Sequence, residues 1–342
     1  MLFNDVFSDD AFGFVSLTEG VQNLPYTESM LGNMGLFSAM EEGIETDVVV
    51  IDEADGQLQI LADRPRGTPP ERMYKDSKKK SRAIKVPHLQ FEDRIAAASL
   101  LGKRAFGQNV LESVAGKING TFQNMLNTVV APTQEVHRLN ALRGVLLDSD
   151  GTTTIHDYFS IFNVGQQSVN FALSAATTPV REVAVGAVRR IEDTLGGVGF
   201  TGVVALCGRS FFDALTKHSS VRDTYLNQES SQGDILRSDL RKTGFMFGGI
   251  LWLEYRGIRG LPNNLGDIPD AEAIMFPEGV SGMFRTYFAP ADFLEAVETL
   301  GQPIYAKVAP DWKYNRWVDQ LIETNPLYVN TRPRAVLKVT MS

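Results

Sequence analysis

One glycine pattern comes closest to a catalytic motif in this chain. Gly197 to Gly202 spells GVGFTG, which satisfies G-x-G-x-x-G, the pattern that holds a dinucleotide pyrophosphate. That chemistry needs a strand before the glycines and a helix after them, because the pyrophosphate contacts the first amides of the helix. Here a predicted helix ends at the glycines and a predicted strand, 201–206, follows. The order predicts a helix end and a turn, so a nucleotide-dependent enzyme is only the third hypothesis for this chain.

Nucleophilic, acid–base and metal chemistry have no stronger candidates. Cys207 follows the apolar run VVAL, which predicts a small buried residue instead of a nucleophile. The acidic pairs Asp9-Asp10 and Glu41-Glu42 are adjacent, so their side chains point in different directions on regular structure and make poor acid–base dyads. No two histidines are four residues apart, and we expect all four at the surface or its boundary: His88, His137, His156 and His218. The sequence predicts no catalytic residue, no metal site, no cofactor and no enzymatic activity.

The strongest sequence signal for binding is a basic segment, residues 64–85. It carries nine lysines and arginines against two acids, and its KDSKKKSR run is of a type that binds nucleic acids. Three prolines and Gly67 predict an extended loop, and Tyr74 is the aromatic residue nearby that could stack on bases. Three interpretations are open: a nucleic-acid-binding loop, a solvated loop, and an arm that docks on an acidic surface of a neighbouring copy.

The charge is distributed unevenly along the 342 residues. The first 63 residues contain 13 acids and no Lys, Arg or His, residues 64–85 carry a charge of +7, and the remainder carries −2. The net charge of −8 therefore combines an acidic head, a basic segment and a nearly neutral body. A dedicated DNA-binding protein needs a large basic surface, so the acidic total disfavours that class.

Cysteine content and hydropathy exclude further classes. A single cysteine forms neither an intramolecular disulfide nor a cysteine-rich metal site. The start MLFNDVFSDD lacks the basic region of a secretory signal peptide, and no apolar run approaches the roughly 18 residues of a membrane span. We expect a soluble intracellular protein.

Residues 44–87 predict a two-stranded ribbon with the basic residues at its tip. The β-branched run 46–51 predicts one strand, 57–61 alternates polar and apolar residues, and 82–86 is a candidate return strand. A two-stranded ribbon is marginally stable in water, so it needs a surface to lie against. The head, residues 1–45, is either an arm ordered by other surfaces or an ordinary N-terminal lobe.

Helical periodicity is strongest in residues 91–130, which predict a helix of about 57 Å that ends at Pro132. A second amphipathic helix starts at Pro179 and stops at Gly196-Gly197. The order of strands, helix, strands, helix and strands favours the α+β class. Further predicted elements are a hairpin at 142–158 around DSDG, a helix at 210–217, a loop at 219–245, and strands at 245–256, 272–277 and 335–339.

Four stretches occur in an order that resembles a known family. They are the Pro- and Arg-rich loop with a Lys-x-Pro-His return at 64–95, LGKRAFG at 101–107, a hairpin with an aromatic exit at 144–164, and the C-terminal region 276–339 with GQPIYAK and Asn325-Pro326-Leu327. On these motifs the chain resembles the lambda-type, gpE-like major capsid proteins of tailed bacteriophages, which have the Hong Kong 97-type fold. The resemblance covers roughly residues 40–342.

The resemblance implies a Hong Kong 97-type α+β fold in five parts. The extended loop is expected to lie over a neighbouring copy, and the long helix is expected to be the spine of the peripheral domain. The parts are an N-terminal arm (1–43), the extended loop or β-ribbon (44–90), a peripheral domain (91–175), an axial domain (176–289) and a return to the peripheral domain (290–342).

The resemblance also implies a major capsid protein that self-assembles into pentamers and hexamers of an icosahedral phage head around double-stranded DNA. Its expected partners are other copies of itself, with portal, scaffold and decoration proteins as further candidates, packaged DNA in non-specific proximity, and no membrane. Its expected location is the virion, after assembly in the host cytoplasm. Eight basic side chains are predicted to contact acids on adjacent copies: Arg64, Arg66, Arg72, Lys75, Lys78, Lys79, Lys80 and Arg82. The alternative function is nucleic-acid binding through the 64–85 loop.

Overall fold

The computed structural model describes residues 13–25, 29–53, 80–99, 110–228, 243–258 and 260–342. Its helices, numbered in chain order, are α1 (Phe14–Gln22), α2 (Met30–Asn33), α3 (Val110–Met125), α4 (Ala131–Arg143), α5 (Tyr158–Phe162), α6 (Val180–Leu195), α7 (Arg209–Lys217) and α8 (Ser219–Gln228). Its strands are β1 (Glu41–Gly43), β2 (Val48–Glu53), β3 (Lys80–Lys85), β4 (Leu89–Ala96), β5 (Val145–Leu147), β6 (Thr154–Asp157), β7 (Gln167–Asn170), β8 (Gly202–Cys207), β9 (Phe245–Phe247), β10 (Ile250–Glu254), β11 (Glu272–Glu278), β12 (Phe284–Phe288), β13 (Tyr305–Pro310), β14 (Trp317–Thr324), β15 (Pro326–Asn330) and β16 (Leu337–Thr340).

A six-stranded mixed sheet, ordered β7-β16-β11-β8-β10-β9, lies at the centre of the larger hydrophobic core. The central strand β8 is apolar along its length because it has a neighbour on each side and is buried. Helix α6 packs into this core with Ala184, Ala187 and Ile191, at the three- and four-residue spacing of an amphipathic helix. Trp252 on β10 meets Phe171 edge-on, with ring centres 5.4 Å apart.

A second, smaller core lies against the three-stranded sheet β13-β14-β4. Phe122 and Leu126 from the long helix pack there with Ile322 of β14, and Leu17 and Val21 of α1 join the same cluster. Another sheet, β1-β12-β15, pairs the head with the C-terminal region, and β1 runs parallel to β12. The two cores therefore each combine residues from both ends of the chain.

The long helix lies further along the chain than its periodicity predicted. Residues 89–96 form β4 instead, because their backbone pairs with the whole of β14, and the described helix runs from Val110. The prediction that Pro132 ends the helix is wrong, since a π-helical turn at Leu126–Val130 leads into α4, which continues to Arg143.

The π turn explains how the helix passes Pro132. In a regular helix the proline ring clashes with the carbonyl four residues earlier, and proline has no N–H to donate. The wider turn immediately before α4 relieves that clash, so Pro132 occupies the first turn of α4, where its missing donor costs little. The described helix is a rod of about 51 Å.

Most other predicted elements are confirmed. β2 and β3 pair antiparallel as the base of the ribbon, and β5 and β6 form the predicted hairpin, whereas residues 57–61 lie outside the described part of the chain. Gly196 ends α6 in the left-handed region, with a φ of 61°, so GVGFTG joins a helix end to β8 as predicted. The loop predicted at 219–245 is wrong over its first ten residues, which form α8.

Candidate inter-subunit surface

The base of the ribbon is anchored in the larger core by one face of each strand. Val49, Ile51 and Ile84 are buried, and Val50 is exposed, which is the alternation of a half-buried strand. The Val86 amide donates to the Asp47 carbonyl at 2.8 Å and closes the base. The ribbon therefore starts from a fixed position on the subunit.

Arg82 is the predicted contact residue whose side chain is described, and it contacts its own chain. Its Nη2 donates to the carbonyl oxygen of Phe162 at 3.4 Å, and its guanidinium lies 5.5 Å from the centre of the Phe162 ring. Arg82 thus fastens β3 to α5, and its contact with another copy stays a prediction. Lys80 is the first residue of β3, opposite Glu53. The other predicted contact residues lie outside the described part of the chain: Arg64, Arg66, Arg72, Lys75, Lys78 and Lys79.

His156 also holds the ribbon base to the subunit. Its Nε2 lies 2.6 Å from the carbonyl oxygen of Lys85, so the ring donates a hydrogen bond to β3. Burial lowers the pKa of His156, and this hydrogen bond partly offsets that effect. The neutral ring therefore fixes the ribbon base without adding a charge there.

The described head packs on its own subunit and exposes acids next to the ribbon. Helix α1 lies against β13, where Thr18 Oγ1 is 3.3 Å from the Ala306 amide that donates to it. We call the exposed acids that precede or begin the ribbon base the acidic strip: Glu41, Glu42, Glu45 and Asp47. A strip of four exposed acids can receive a basic partner.

A buried carboxylate joins the head to the long helix. Glu135 of α4 accepts hydrogen bonds from the amides of Leu31 and Gly32, at 2.9 and 3.3 Å, and from the Tyr255 hydroxyl at 3.0 Å. Burial, reinforced by the charge of Glu135, raises the pKa of Tyr255. The three donors satisfy an anion that would otherwise be costly to bury, so residues 31–32 are held firmly on α4.

Three large apolar side chains project into solvent from the segment between β12 and β13. They are exposed by 92, 61 and 62%, and we call them the apolar cluster: Leu294, Val297 and Leu300. The segment is held from beneath, because Phe293 packs edge-on against Phe14 at 5.6 Å and Ala296 is fully buried. An ion pair between Glu295 and Lys307 of β13, with the two charged atoms 2.9 Å apart, also holds the segment against β13.

The turn between β13 and β14 exposes a second aromatic surface. Trp312 and Tyr314 are both more than half exposed. Lys313 and Arg316 lie 5.1 and 4.8 Å from the centre of the Tyr314 ring, so the turn presents an aromatic ring flanked by two cations. Such a combination is enriched where proteins contact one another.

Residues considered for catalysis or metal binding have structural surroundings. Cys207 is buried, as predicted, and burial raises the pKa of its thiol, which makes it a poor nucleophile. The expectation of surface histidines is wrong for His137 and His218, which the packing of α4 and α7 buries. No group of three potential metal ligands occurs among the described residues, and none of their helices is long and apolar enough to cross a membrane.

Comparison with known proteins decides the family. The model of the phage major capsid protein E family matches residues 13–341. The chain belongs to this family. It is 29% identical to the major capsid protein of Pseudomonas phage KPP10, over 96% of each chain, and 24% identical to that of Salmonella phage Felix O1, over 86% of this chain and 87% of the relative.

The fold of this capsid protein is also found in a solved structure. A protein described as a prophage capsid protein from E. coli CFT073 superposes with a TM-score of 0.54 at 14% identity, over 92% of this chain and 94% of that one. The family resemblance and the Hong Kong 97-type α+β fold are therefore confirmed, and the chain is a phage major capsid protein. The family is structural, and nothing in the comparisons supports the alternative of nucleic-acid binding.

Sequence reasoning missed the apolar cluster and the Glu135 contact. The cluster left a weak signal, since Leu294, Val297 and Leu300 recur every third residue between Pro290 and Pro303. A short apolar segment of this kind is usually read as buried, and only the packing beneath it shows which side faces solvent. Glu135 left no signal, because its donors lie about 100 and 120 residues away in the sequence.

Proposed function

We propose that this major capsid protein assembles with other copies of itself into pentamers and hexamers of an icosahedral phage head that encloses double-stranded DNA. Family membership supports the capsid role, and the apolar cluster is the observation that supports self-assembly through a defined surface. Double-stranded DNA, portal, scaffold and decoration proteins are further proposed neighbours in the virion, and the host cytoplasm is the proposed place of assembly.

The apolar cluster suits a contact between copies. Soluble monomers seldom present several large apolar side chains together unless that surface binds something. Phe293 and Ala296 hold the segment in place, so little backbone freedom is lost when a second copy covers it. Burial of apolar area contributes about 25 cal/mol per Å² and is therefore the main source of stability that we assign to this contact.

Charge complementarity supports a role for the ribbon in the same assembly. The basic residues predicted to contact neighbours and the exposed acidic strip have opposite charge and lie on different parts of the chain. A contact between two different surfaces of identical copies is heterologous, and such contacts close into rings when the rotation allows it. Exposed ion pairs contribute only about 0–1 kcal/mol each, so we assign them orientation and association rate instead of bulk affinity.

We propose the five-part division for this subunit as well. The described head and the anchored ribbon base are compatible with the arm and the extended loop, and the rod from α3 to α4 is compatible with the spine. The parts proposed are the arm 1–43, the loop 44–90, the peripheral domain 91–175, the axial domain 176–289 and the return segment 290–342.

Electron microscopy of the purified full-length protein tests the proposed function. We expect closed, shell-like particles with pentameric and hexameric units when the protein is concentrated. A protein that stays monomeric at high concentration, across a range of salt and with a well-folded circular dichroism spectrum, would contradict self-assembly by this chain alone.

Reversing the charge of the ribbon tests its part in assembly. The variant Lys78→Glu/Lys79→Glu/Lys80→Glu should fold normally but assemble more slowly and with fewer closed particles, because it repels the acidic strip of a neighbour. Light scattering gives the assembly rate, and microscopy gives the particle yield. The variant with arginine at all three positions keeps the charge and should assemble like the parent. Normal assembly of the glutamate variant would refute the role of these lysines.

A further inference from the structure

A cavity of about 260 Å³ lies between the end of the long helix and the six-stranded sheet. Its walls come from the last turn of α4, the β5–β6 hairpin, the start of α5, and strands β11 and β16. It is smaller than the roughly 300–1,000 Å³ of pockets for drug-sized ligands. Its size therefore suits one small group or one side chain.

Arg143, the last residue of α4, supplies to this cavity a positive charge that no described side chain binds by a hydrogen bond. Arginine stays protonated in proteins, and burial lowers the pKa of Arg143 without removing its charge. Among the described residues, no carboxylate oxygen lies within 4.0 Å of the Arg143 guanidinium. No described residue accepts a hydrogen bond from that guanidinium either. A partly buried cation is normally paired, because desolvation disfavours a lone charge.

The other charged residues of the cavity already have partners. Glu272 and Lys338 form an ion pair at 2.7 Å across neighbouring strands. Asp157 accepts hydrogen bonds from the amides of Phe159 and Ser160 as the N-cap of α5. Arg143 is therefore the charged residue of this described cavity lining that has no hydrogen-bonded partner, although the charge of Glu272 acts on it from a longer distance and partly offsets the effect of burial on its pKa.

Asn140 adds an independent sign of a missing ligand. It lies one turn before Arg143 on α4, is 1% exposed and lines the same cavity. Its side-chain nitrogen Nδ2 is buried with no hydrogen-bond partner among the described residues. Buried donors are almost always satisfied in folded proteins, so an unsatisfied amide beside a guanidinium that also lacks an acceptor indicates a binding site for an acceptor.

We propose that this cavity binds a monoanionic carboxylate, held by the Arg143 guanidinium and the Asn140 amide. A carboxylate matches the planar fork of arginine and accepts two parallel hydrogen bonds from it. Because the Glu272 carboxylate also lines the cavity, a ligand with one negative charge is repelled less there than a phosphate dianion. Phe159 and Leu337 supply apolar walls that limit water and strengthen the pairing.

Acetate titration of dispersed full-length protein tests the site. Acetate should raise the melting temperature, compared with chloride at the same ionic strength, because it binds the folded chain only. Arg143→Gln should weaken acetate binding by about tenfold or more, since a charged hydrogen-bonded pair is lost. Arg143→Lys keeps the positive charge but lacks the planar fork of arginine. Its affinity for acetate should therefore lie between those of the parent and of Arg143→Gln. Equal stabilisation by inorganic phosphate would overturn the choice of a monoanionic carboxylate.

Asn140→Asp gives a second test that does not depend on removing the arginine. The new carboxylate lies in the cavity itself, so the variant should melt at a higher temperature and lose its response to acetate. An unchanged response to acetate in this variant would overturn the proposed location.

Assembled particles distinguish the two sources of the carboxylate. If an acidic side chain of another copy fills the site, a density map of particles prepared without acetate should show a side chain in the cavity. If the ligand is a free carboxylate, added acetate should occupy the cavity in the map and stabilise the particles. A cavity empty in both maps, with no effect of acetate on dispersed protein, would refute the proposal.

Discussion

His137 is a buried titratable residue whose protonation the fold opposes. Burial lowers its pKa from 6.5 to about 4, although the charge of Asp148 acts in the opposite direction. Below pH 6.5 the unfolded chain therefore takes up a proton that the folded chain does not accept until about pH 4. Stability falls as the pH drops through that window, and it is unaffected by His137 above it. A shift of this size corresponds to about 3 kcal/mol.

The variant His137→Gln should remove this part of the acid sensitivity. Glutamine cannot take up a proton, so the free energy of unfolding should fall by about 3 kcal/mol less than in the parent between pH 6.5 and pH 4. Urea unfolding of dispersed protein at several pH values gives the comparison. Identical pH profiles for His137→Gln and the parent would contradict the assignment.

At the scale of elements, Glu135 links the head to the long helix through three hydrogen bonds. Glu135→Ala leaves the amides of Leu31 and Gly32 and the Tyr255 hydroxyl without their acceptor. We expect a loss of about 3–5 kcal/mol in the free energy of unfolding, since each buried donor loses a charged partner.

Hydrogen exchange locates the effect of this change. The amides of Leu31 and Gly32 should exchange much faster in Glu135→Ala. The amides of β8 should exchange faster only to the extent that the free energy of global unfolding falls. Tyr255→Phe removes one donor and keeps the carboxylate, so it should cost about 1 kcal/mol and leave both amides protected. Protected amides at Leu31 and Gly32 in Glu135→Ala would show that other contacts hold the head.

The elements also show where sequence patterns predict structure and where they do not. The ribbon base, the β5–β6 hairpin and α6 follow from local signals, namely β-branched residues, an Asp-Gly turn and an apolar stripe that ends at glycines. β4 does not, because its pairing with β14 joins residues more than 220 apart. Passage of the helix through Pro132 depends on a π turn, which has no simple sequence signature.

The candidate contact surface was predictable only in part. Charge alone singled out the basic segment, since a run of lysines is visible without any fold. Arg82 shows the limit of that reasoning, because its packing on Phe162 depends on where β3 meets α5. Exposure of Leu294 likewise depends on its neighbours, the partly buried Phe293 and the buried Ala296, which fix the orientation of the whole segment.

At the scale of the whole molecule, the subunit separates its sources of fold stability from its proposed sources of assembly. The larger and the smaller core lie inside the subunit, whereas the apolar cluster and the acidic strip lie on its surface. Substitutions on such surfaces usually change folding stability by less than about 0.5 kcal/mol. Folding and assembly of this capsid protein should therefore respond to different substitutions.

Polar substitution of the apolar cluster tests that separation. The variant Leu294→Ser/Val297→Ser/Leu300→Ser should melt within a few degrees of the parent, because these side chains contribute little to either core. It should form particles only at a concentration at least about tenfold higher, since loss of roughly 100 Å² of apolar contact removes about 2.5 kcal/mol per interface. Sedimentation gives both the assembled fraction and the critical concentration. The variant with methionine at all three positions keeps the apolar surface and should assemble like the parent. A serine variant that assembles at the parental concentration would exclude the apolar cluster from the contacts between copies. A serine variant that unfolds would show instead that these side chains stabilise the fold of the subunit.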